Sequence, residues 1–424
     1  MPKSGFKILH KDKKTKARVG ILNTPHGQVK TPSYVIVATY GQIRHLKPSD
    51  IKNTKTQLLI CNTYHLWDLA PKKPGKKTFL TKRLGLKIPT MTDSGGFQVL
   101  SLAFDNKYKV GKFIGDNAKT DKDYIRSKIK IIDDGVYFYQ DGTEKFLGPK
   151  LSMEIQKRLG ADIVFAFDHI TSPLDSHAYN KKALRLTDKW AKICLQNKNP
   201  DQLMFGIVQG GLFKDLRIQS AKSIGAMAFD PALNKDMRQW PQRNKSLLSA
   251  GFDGFGLGGS YTKKQISKVL KWMIPYLPEE KPRHLLGVGK IEDVFEAVEN
   301  GVDTFDCVIP TREARHGRLW TKDGKIDIRR GVFKTDEKII EKSCKCPTCH
   351  PTSLKLRRTK EKITRAEINR LIKSQDENQK AKGQRYALLH NIWFFNHVLE
   401  QIRDSIEKNK FSEFKKGFLS RFQS

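Results

Sequence analysis

The sequence predicts an α/β fold, a (β/α)8 TIM barrel with an inserted zinc-binding subdomain. Three observations predict it: eight short apolar runs, polar residues at the ends of four of them, and three cysteines within six positions late in the chain. The runs are SYVIVAT (33–39), QLLICNT (57–63), IPTMTDS (88–94), DIVFAFD (162–168), MFGIVQG (204–210), DGFGLGG (253–259), RHLLGVG (283–289) and VDTFDCV (302–308). Most are rich in β-branched or aromatic residues, as parallel strands covered on both faces should be. Eight such strands alternating with helices fit a closed barrel. An open doubly wound sheet has the same content, but it would spread Asp93, Asp168, Gln209 and Asp306 along a crevice. In a barrel these four strand ends converge on one mouth.

The helices follow from periodicity. LSMEIQKRLG precedes the fourth run and TKKQISKVLKWMIPYL follows the sixth. IEDVFEAVENG lies between the last two, with Gly301 placed to end it. Two stretches interrupt the alternation. Residues 103–150 contain KIKIIDDGVYFYQDGTEKF, which reads as a hairpin turning at Asp141-Gly142. Residues 318–385 contain the cysteine cluster and a charged, solvated run. The expected division is a barrel over 1–317, a zinc-binding subdomain over 318–385 and a C-terminal helical segment, 386–424, packing on the barrel.

Composition narrows the function classes. The 424 residues carry a net charge of +35, which favours a polyanionic partner such as nucleic acid. A lysine-rich surface with no such partner is the plainer reading of the same charge. No apolar run approaches the roughly 18–20 residues of a membrane span, and the basic N-terminus has no apolar core of a secretory signal. Six cysteines with only a local cluster suit a reducing, cytoplasmic setting rather than a disulfide framework.

Cys344-x-Cys346-x-x-Cys349 brings three thiolates within reach of one tetrahedral zinc, a closed structural site once a fourth ligand is added. His350, His390 and His397 are the histidines at hand. Asp93 precedes Ser94-Gly95-Gly96-Phe97, where paired glycines let a ligand approach the backbone; an aspartate capping the next helix is the plainer alternative. Asp168 is a second strand-end carboxylate. Gln209 supplies an amide that can both donate to and accept from a purine-like edge. Gly256 to Gly259 offer bare backbone to a flat ligand. Asp306 is followed by Arg312, Arg315 and Arg318, a combination suited to a phosphate-bearing substrate. Two carboxylates flanking one carbon are the equipment for glycosidic bond cleavage, one as nucleophile and one as acid/base.

DSGGFQVLSL, SMEIQKRLGADIVFAFD, GIVQGG, LLGVGK, GVDTFDCVIPTREARHG, the CxCxxC cluster and LLHN resemble the tRNA-guanine transglycosylases, or queuine tRNA-ribosyltransferases, of bacterial type. The resemblance spans about residues 6 to 410. It implies an enzyme that replaces guanine at wobble position 34 of tRNAs with a GUN anticodon by a 7-deazaguanine. Asp306 would attack the ribose C1′ and Asp93 would act as acid/base. Asp168, Gln209 and the backbone at Gly256 would read the base, Phe97 would stack on it, and Ser94, Gly259 and Leu286 would line its site. Arg312 and Arg315 would grip the flanking nucleotides. Cys344, Cys346, Cys349 and His390 would hold one structural zinc, and a cytoplasmic homodimer would be expected. Phe97, Ile170 and Gly259 stand where the common bacterial pattern has Tyr, Cys and Val. These departures favour queuine over its aminomethyl precursor, because a glycine in place of valine leaves room for a bulkier base. The alternatives are an archaeal-type enzyme exchanging guanine in the D-arm, and a sugar hydrolase on the same barrel.

Overall fold

The computed structural model describes residues 5–73, 78–103, 129–140, 142–228, 251–259, 265–350 and 362–422. All eight apolar runs form strands. They are β4 (Ser33–Val37), β5 (Leu59–Cys61), β6 (Thr90–Thr92), β10 (Ile163–Phe165), β11 (Leu203–Val208), β12 (Gly254–Leu257), β13 (Arg283–Leu285) and β14 (Thr304–Cys307). Each pairs in parallel with the next, and β14 pairs with β4 to close the barrel. The side-chain period of two sorts each strand. Val35, Ile60, Met91, Phe165, Phe205 and Ile207 pack inside. Tyr34, Ile36, Leu59 and Phe255 point outward against the helices.

Helices form where the period of 3.6 and the caps agree. Pro149–Leu159 starts with proline in its first turn and stops at Gly160, whose φ of +75° is left-handed. Ile291–Glu299 ends at Asn300 and is followed by Gly301 at φ +87°.

Three parts depart from the sequence reading. The basic N-terminus folds as an antiparallel sheet of β1 (Gly5–Lys11), β2 (Arg18–Thr24) and β3 (Gly27–Thr31). Leu22 and Val29 join the interior barrel cluster, so this sheet closes the barrel's N-terminal end. The expected hairpin is three-stranded: β7 (Ile129–Ile132), β8 (Gly135–Gln140) and β9 (Thr143–Leu147). The additional turn is at Asp133-Asp134. At the expected one, Gly142 has φ +77° while Asp141 lies outside the described residues. Finally, the boundary drawn at 386 falls inside one continuous helix, Glu377–Glu407. Residues 104–128 and 351–361, within the two charged insertions, are outside the described residues.

After β14 the short helix Ile309–Arg315 leads into the hairpin β15 (Arg318–Thr321) and β16 (Gly324–Asp327). These elements, the cysteines and helix Arg365–Ile372 share a second apolar cluster with Tyr386 and Leu388 of the long helix. No helix among the described residues is long and apolar enough to cross a membrane.

Candidate active site and metal centre

The inward-facing column of several strands continues past the strand end into a polar residue, and this builds the barrel mouth. Ile60 is followed two positions on by Asn62, Met91 by Asp93, Thr304 by Asp306 and Ile207 by Gln209. Asp93 Oδ1 accepts the backbone N–H groups of Thr63 (3.0 Å) and Gly95 (3.2 Å), and its Oδ2 accepts Asn62 Nδ2 (2.6 Å). The helix-capping alternative is therefore partly met, since Gly95 opens the turn into helix Gly96–Ala103. Loss of surrounding water pushes the Asp93 carboxyl up to about 7; the nearby Asp306 adds to the rise, and the hydrogen bonds oppose it.

Asp306 Oδ1 accepts the Gly287 N–H (3.0 Å) and lies 3.1 Å from His284 Nε2. The His284 ring is fully buried, with Nδ1 2.9 Å from Thr304 Oγ1. Gln209 Nε2 donates to Asp168 Oδ2 (2.5 Å), and both side chains are buried. This bond turns the carboxylate and the amide into one hydrogen-bonding unit. Next to them His169 is pushed down to about 4 by burial, so its imidazole is neutral.

The remaining expected residues lie in or just after barrel strands. Ser94 is buried and its carbonyl accepts Ser152 Oγ (2.8 Å). Phe97 is 37% exposed, a large ring left open to solvent. Leu286 is half-buried at the edge of the interior cluster, and its N–H donates to Leu257 O (3.3 Å). A Cβ on Gly256 would lie 2.5 Å from Ile207 Cδ1 and 3.1 Å from the Phe165 ring, so a side chain there would have to displace both. Gly259 has φ +106°, and a Cβ there would meet Arg217 Nη2 at 2.2 Å and Gln209 Oε1 at 3.1 Å. The space beside Gly259 is thus filled by a guanidinium, which corrects the expectation that glycine opens room there for a bulky base.

Arg312 is exposed and Arg315 half-buried on the helix leaving β14. Burial, with Arg44 and Arg312 adding to it, holds the Arg315 guanidinium below its ordinary value. Burial, then Arg44 and Arg315, does the same to His45. These mutual effects define a cationic cluster. Arg44 was not singled out from the sequence; neither were Asn62, His284 and Arg217, whose partners are remote in sequence.

The four expected metal ligands meet. Cys344, Cys346 and Cys349 Sγ lie 3.7, 3.4 and 3.7 Å from His390 Nδ1, all four residues buried. His390 Nε2 donates to Trp320 O (2.8 Å), which leaves Nδ1 as the lone-pair face toward the sulfurs. The Cys346 and Cys349 N–H groups donate to Cys344 and Cys346 Sγ (3.4 and 3.3 Å). Three sulfurs and one imidazole nitrogen around a common centre fit a metal ion with a closed ligand shell.

Residues 12–424 match the family model described as queuine tRNA-ribosyltransferase. The chain belongs to this family. Family membership makes it an enzyme of the tRNA-guanine transglycosylase class. Among its relatives, the queuine tRNA-ribosyltransferase of Halothermothrix orenii is 33% identical over 428 residues, covering 98% of this chain and 97% of that protein. The putative queuine tRNA-ribosyltransferase of Archaeoglobus fulgidus is 35% identical over 429 residues, covering 95% and 96%. That of Protochlamydia amoebophila is 35% identical over 418 residues, covering 95% of each. Transglycosylases of this family therefore align with the chain along almost its whole length.

Proposed function

We propose that the chain replaces guanine 34 of GUN-anticodon tRNAs with a 7-deazaguanine by double displacement. Asp306 attacks the ribose C1′ as the C1′–N9 bond breaks, and a covalent aspartyl-tRNA intermediate forms. Asp93 gives a proton to the departing guanine. The incoming base then loses its N9 proton to Asp93 as it attacks C1′ and releases Asp306. Two inversions leave C1′ with its original configuration. The observation that carries this reading is Asp93 itself, a carboxyl raised to about 7 within electrostatic reach of Asp306. A group poised there can both donate and accept near neutral pH. The Asp168–Gln209 pair, the backbone at Gly256 and Leu286, and the ring of Phe97 suit a flat, hydrogen-bonding base. Ser94 supports the turn that carries Phe97. Arg312 and Arg315, together with Arg44, suit tRNA phosphates.

Queuine is the proposed incoming base on the residues Phe97 and Ile170; Gly259 no longer argues for it. The metal is proposed to be one zinc held by Cys344, Cys346, Cys349 and His390, where it cross-links the segment after β14 to the long helix. The enzyme is proposed to act in the cytoplasm as a homodimer, because one tRNA spans more surface than one barrel mouth offers.

The test is base exchange on a GUN-anticodon tRNA transcript, offering queuine and 7-aminomethyl-7-deazaguanine separately. Nucleoside mass spectrometry with position mapping reads the product, and Asp306→Ala is the control. Queuine at position 34, absent with the variant, is the expected result. The precursor alone would overturn the choice of base, and exchange in the D-arm would overturn the target site. No exchange by folded, metal-loaded protein would overturn the reading as a whole.

A further inference from the structure

Arg217 is a charged side chain with no exposure at all, seated behind the base-reading residues rather than among them. It lies in the first turn of helix Lys214–Ala226, and its guanidinium reaches back to two separate loops. Nε donates to Gly211 O (2.8 Å), and Nη1 to Gly258 O (2.7 Å) and Val208 O (3.4 Å). Those carbonyls flank Gln209 on one loop and precede Gly259 on the other. Gln209 Nε2 would be 2.8 Å from a Cβ on Gly258, so the two loops touch through this amide. A planar, forked cation holds such carbonyls in fixed directions, which a lysine ammonium on its flexible stem does not.

We propose that Arg217 is a positioning residue that sets base specificity by clamping the 208–211 loop to the 258–259 loop. The clamp aims Gln209, and through it Asp168, at the base edge. The inference rests on the proposed base exchange.

The test compares wild type, Arg217→Lys and Gly259→Ala as metal-loaded proteins. Arg217→Lys keeps the charge and loses the fork; Gly259→Ala disturbs the guanidinium from outside, and serves if the lysine variant does not fold. Each is assayed for kcat, KM for guanine, KM for tRNA and melting temperature. The expected result is a rise in KM for guanine of about tenfold or more in both variants, the scale of one or two lost charged hydrogen bonds, with KM for tRNA unchanged. Discrimination between guanine and adenine should narrow in parallel. An unchanged KM for guanine in folded variants would overturn the proposal. So would equal losses for base and tRNA accompanied by a lower melting temperature, which would make Arg217 structural only. Wild type inactive in exchange would instead sink the underlying reaction, so the two failures are distinguishable.

Discussion

Asp93 and Asp306 are both strand-end aspartates of one barrel mouth, yet their surroundings differ. Asp93 is desolvated and faces the charge of Asp306, and its carboxyl rises to about 7. That rise has a cost in stability. A folded-state value above the unfolded one means that the favourable contribution is complete below the unfolded value, near 3.8, and is lost as pH rises through about 7. Asp93→Asn should therefore be more stable than wild type at pH 8, by on the order of 2 kcal/mol, with the gain vanishing toward pH 4. Denaturant melts of both proteins across pH would check this. A gain independent of pH would mean that the asparagine acts by packing. The same variant should lose base exchange by about a hundredfold or more while still binding tRNA, since it removes proton transfer and leaves the phosphate contacts intact. Such opposite effects on stability and rate are what an active-site charge held out of water produces. Each aspartate has a plain explanation by itself, such as capping the next helix; the two were legible in the sequence because four polar residues end apolar runs that a barrel brings to one mouth. His284, Asn62 and Arg217 were not, because a histidine, an asparagine or an arginine in a chain declares no partner until folding brings one from another strand.

Among the elements, the eight barrel strands were legible for a physical reason. Parallel strands covered on both faces are nearly continuous apolar runs, and in this chain each ends in a polar or glycine break. The sheet β1–β3 carries no such signal. Its strand GFKILHK alternates on a half-exposed surface and looks like a basic tail. What ties it down lies far away in sequence. Arg18 makes a two-pronged ion pair with Asp303 (2.9 and 2.6 Å), with both side chains buried, just before β14 begins. Asp303 also accepts the Arg283 N–H (2.7 Å), so one carboxylate joins three strands. Arg18→Met should cost about 3–5 kcal/mol, because it strands a buried aspartate, whereas replacing both partners with apolar residues should cost less. Chemical denaturation of the single and double variants would separate the two. A second tie is titratable. His26, in the β2–β3 turn, contacts Asp162 Oδ1 through its backbone N–H (2.9 Å) and Nδ1 (2.8 Å). The hydrogen bond to Asp162 raises the imidazole above its ordinary value. Its contribution is thus full below about 6.5 and fades as pH rises through the raised value. His26→Gln should destabilise by about 1 kcal/mol at pH 5.5 and by less at pH 8, as the pair is partly solvated. Melting temperatures at the two pH values measure the difference.

At the scale of the whole molecule, the cysteine–histidine cluster, the strand that carries Asp306 and the barrel wall are joined by one rod. Helix Glu377–Glu407 carries His390 at the metal cluster. One residue on, Asn391 donates to Pro310 O (3.1 Å) and Arg318 O (3.0 Å) and accepts the Trp320 N–H (3.1 Å). Four residues further, Phe395 packs on Tyr34 of β4 and on Trp320. Asn396 then reaches Thr54 O (2.8 Å) and Arg403 reaches Pro32 O (2.7 Å). Pro310 lies four positions after Asp306, so the path from the cysteine–histidine cluster to Asp306 is His390, Asn391 and the segment after β14. If the centre were a detached finger, removing the metal would unfold the segment after β14 and leave the barrel intact. The shared helix argues otherwise. Without a metal, three thiols and an imidazole are left buried around an uncompensated centre, and the helix loses the anchor that sets its register on the barrel. Cys346→Ser, or chelation of the wild type, should lower global stability by several kcal/mol and weaken base exchange, although no metal ligand touches the mouth. Hydrogen exchange should accelerate in 309–321 and in β4 as well as around 340–350. Fast exchange confined to 340–350, with the barrel and the reaction untouched, would show that the rod does not transmit what its contacts imply.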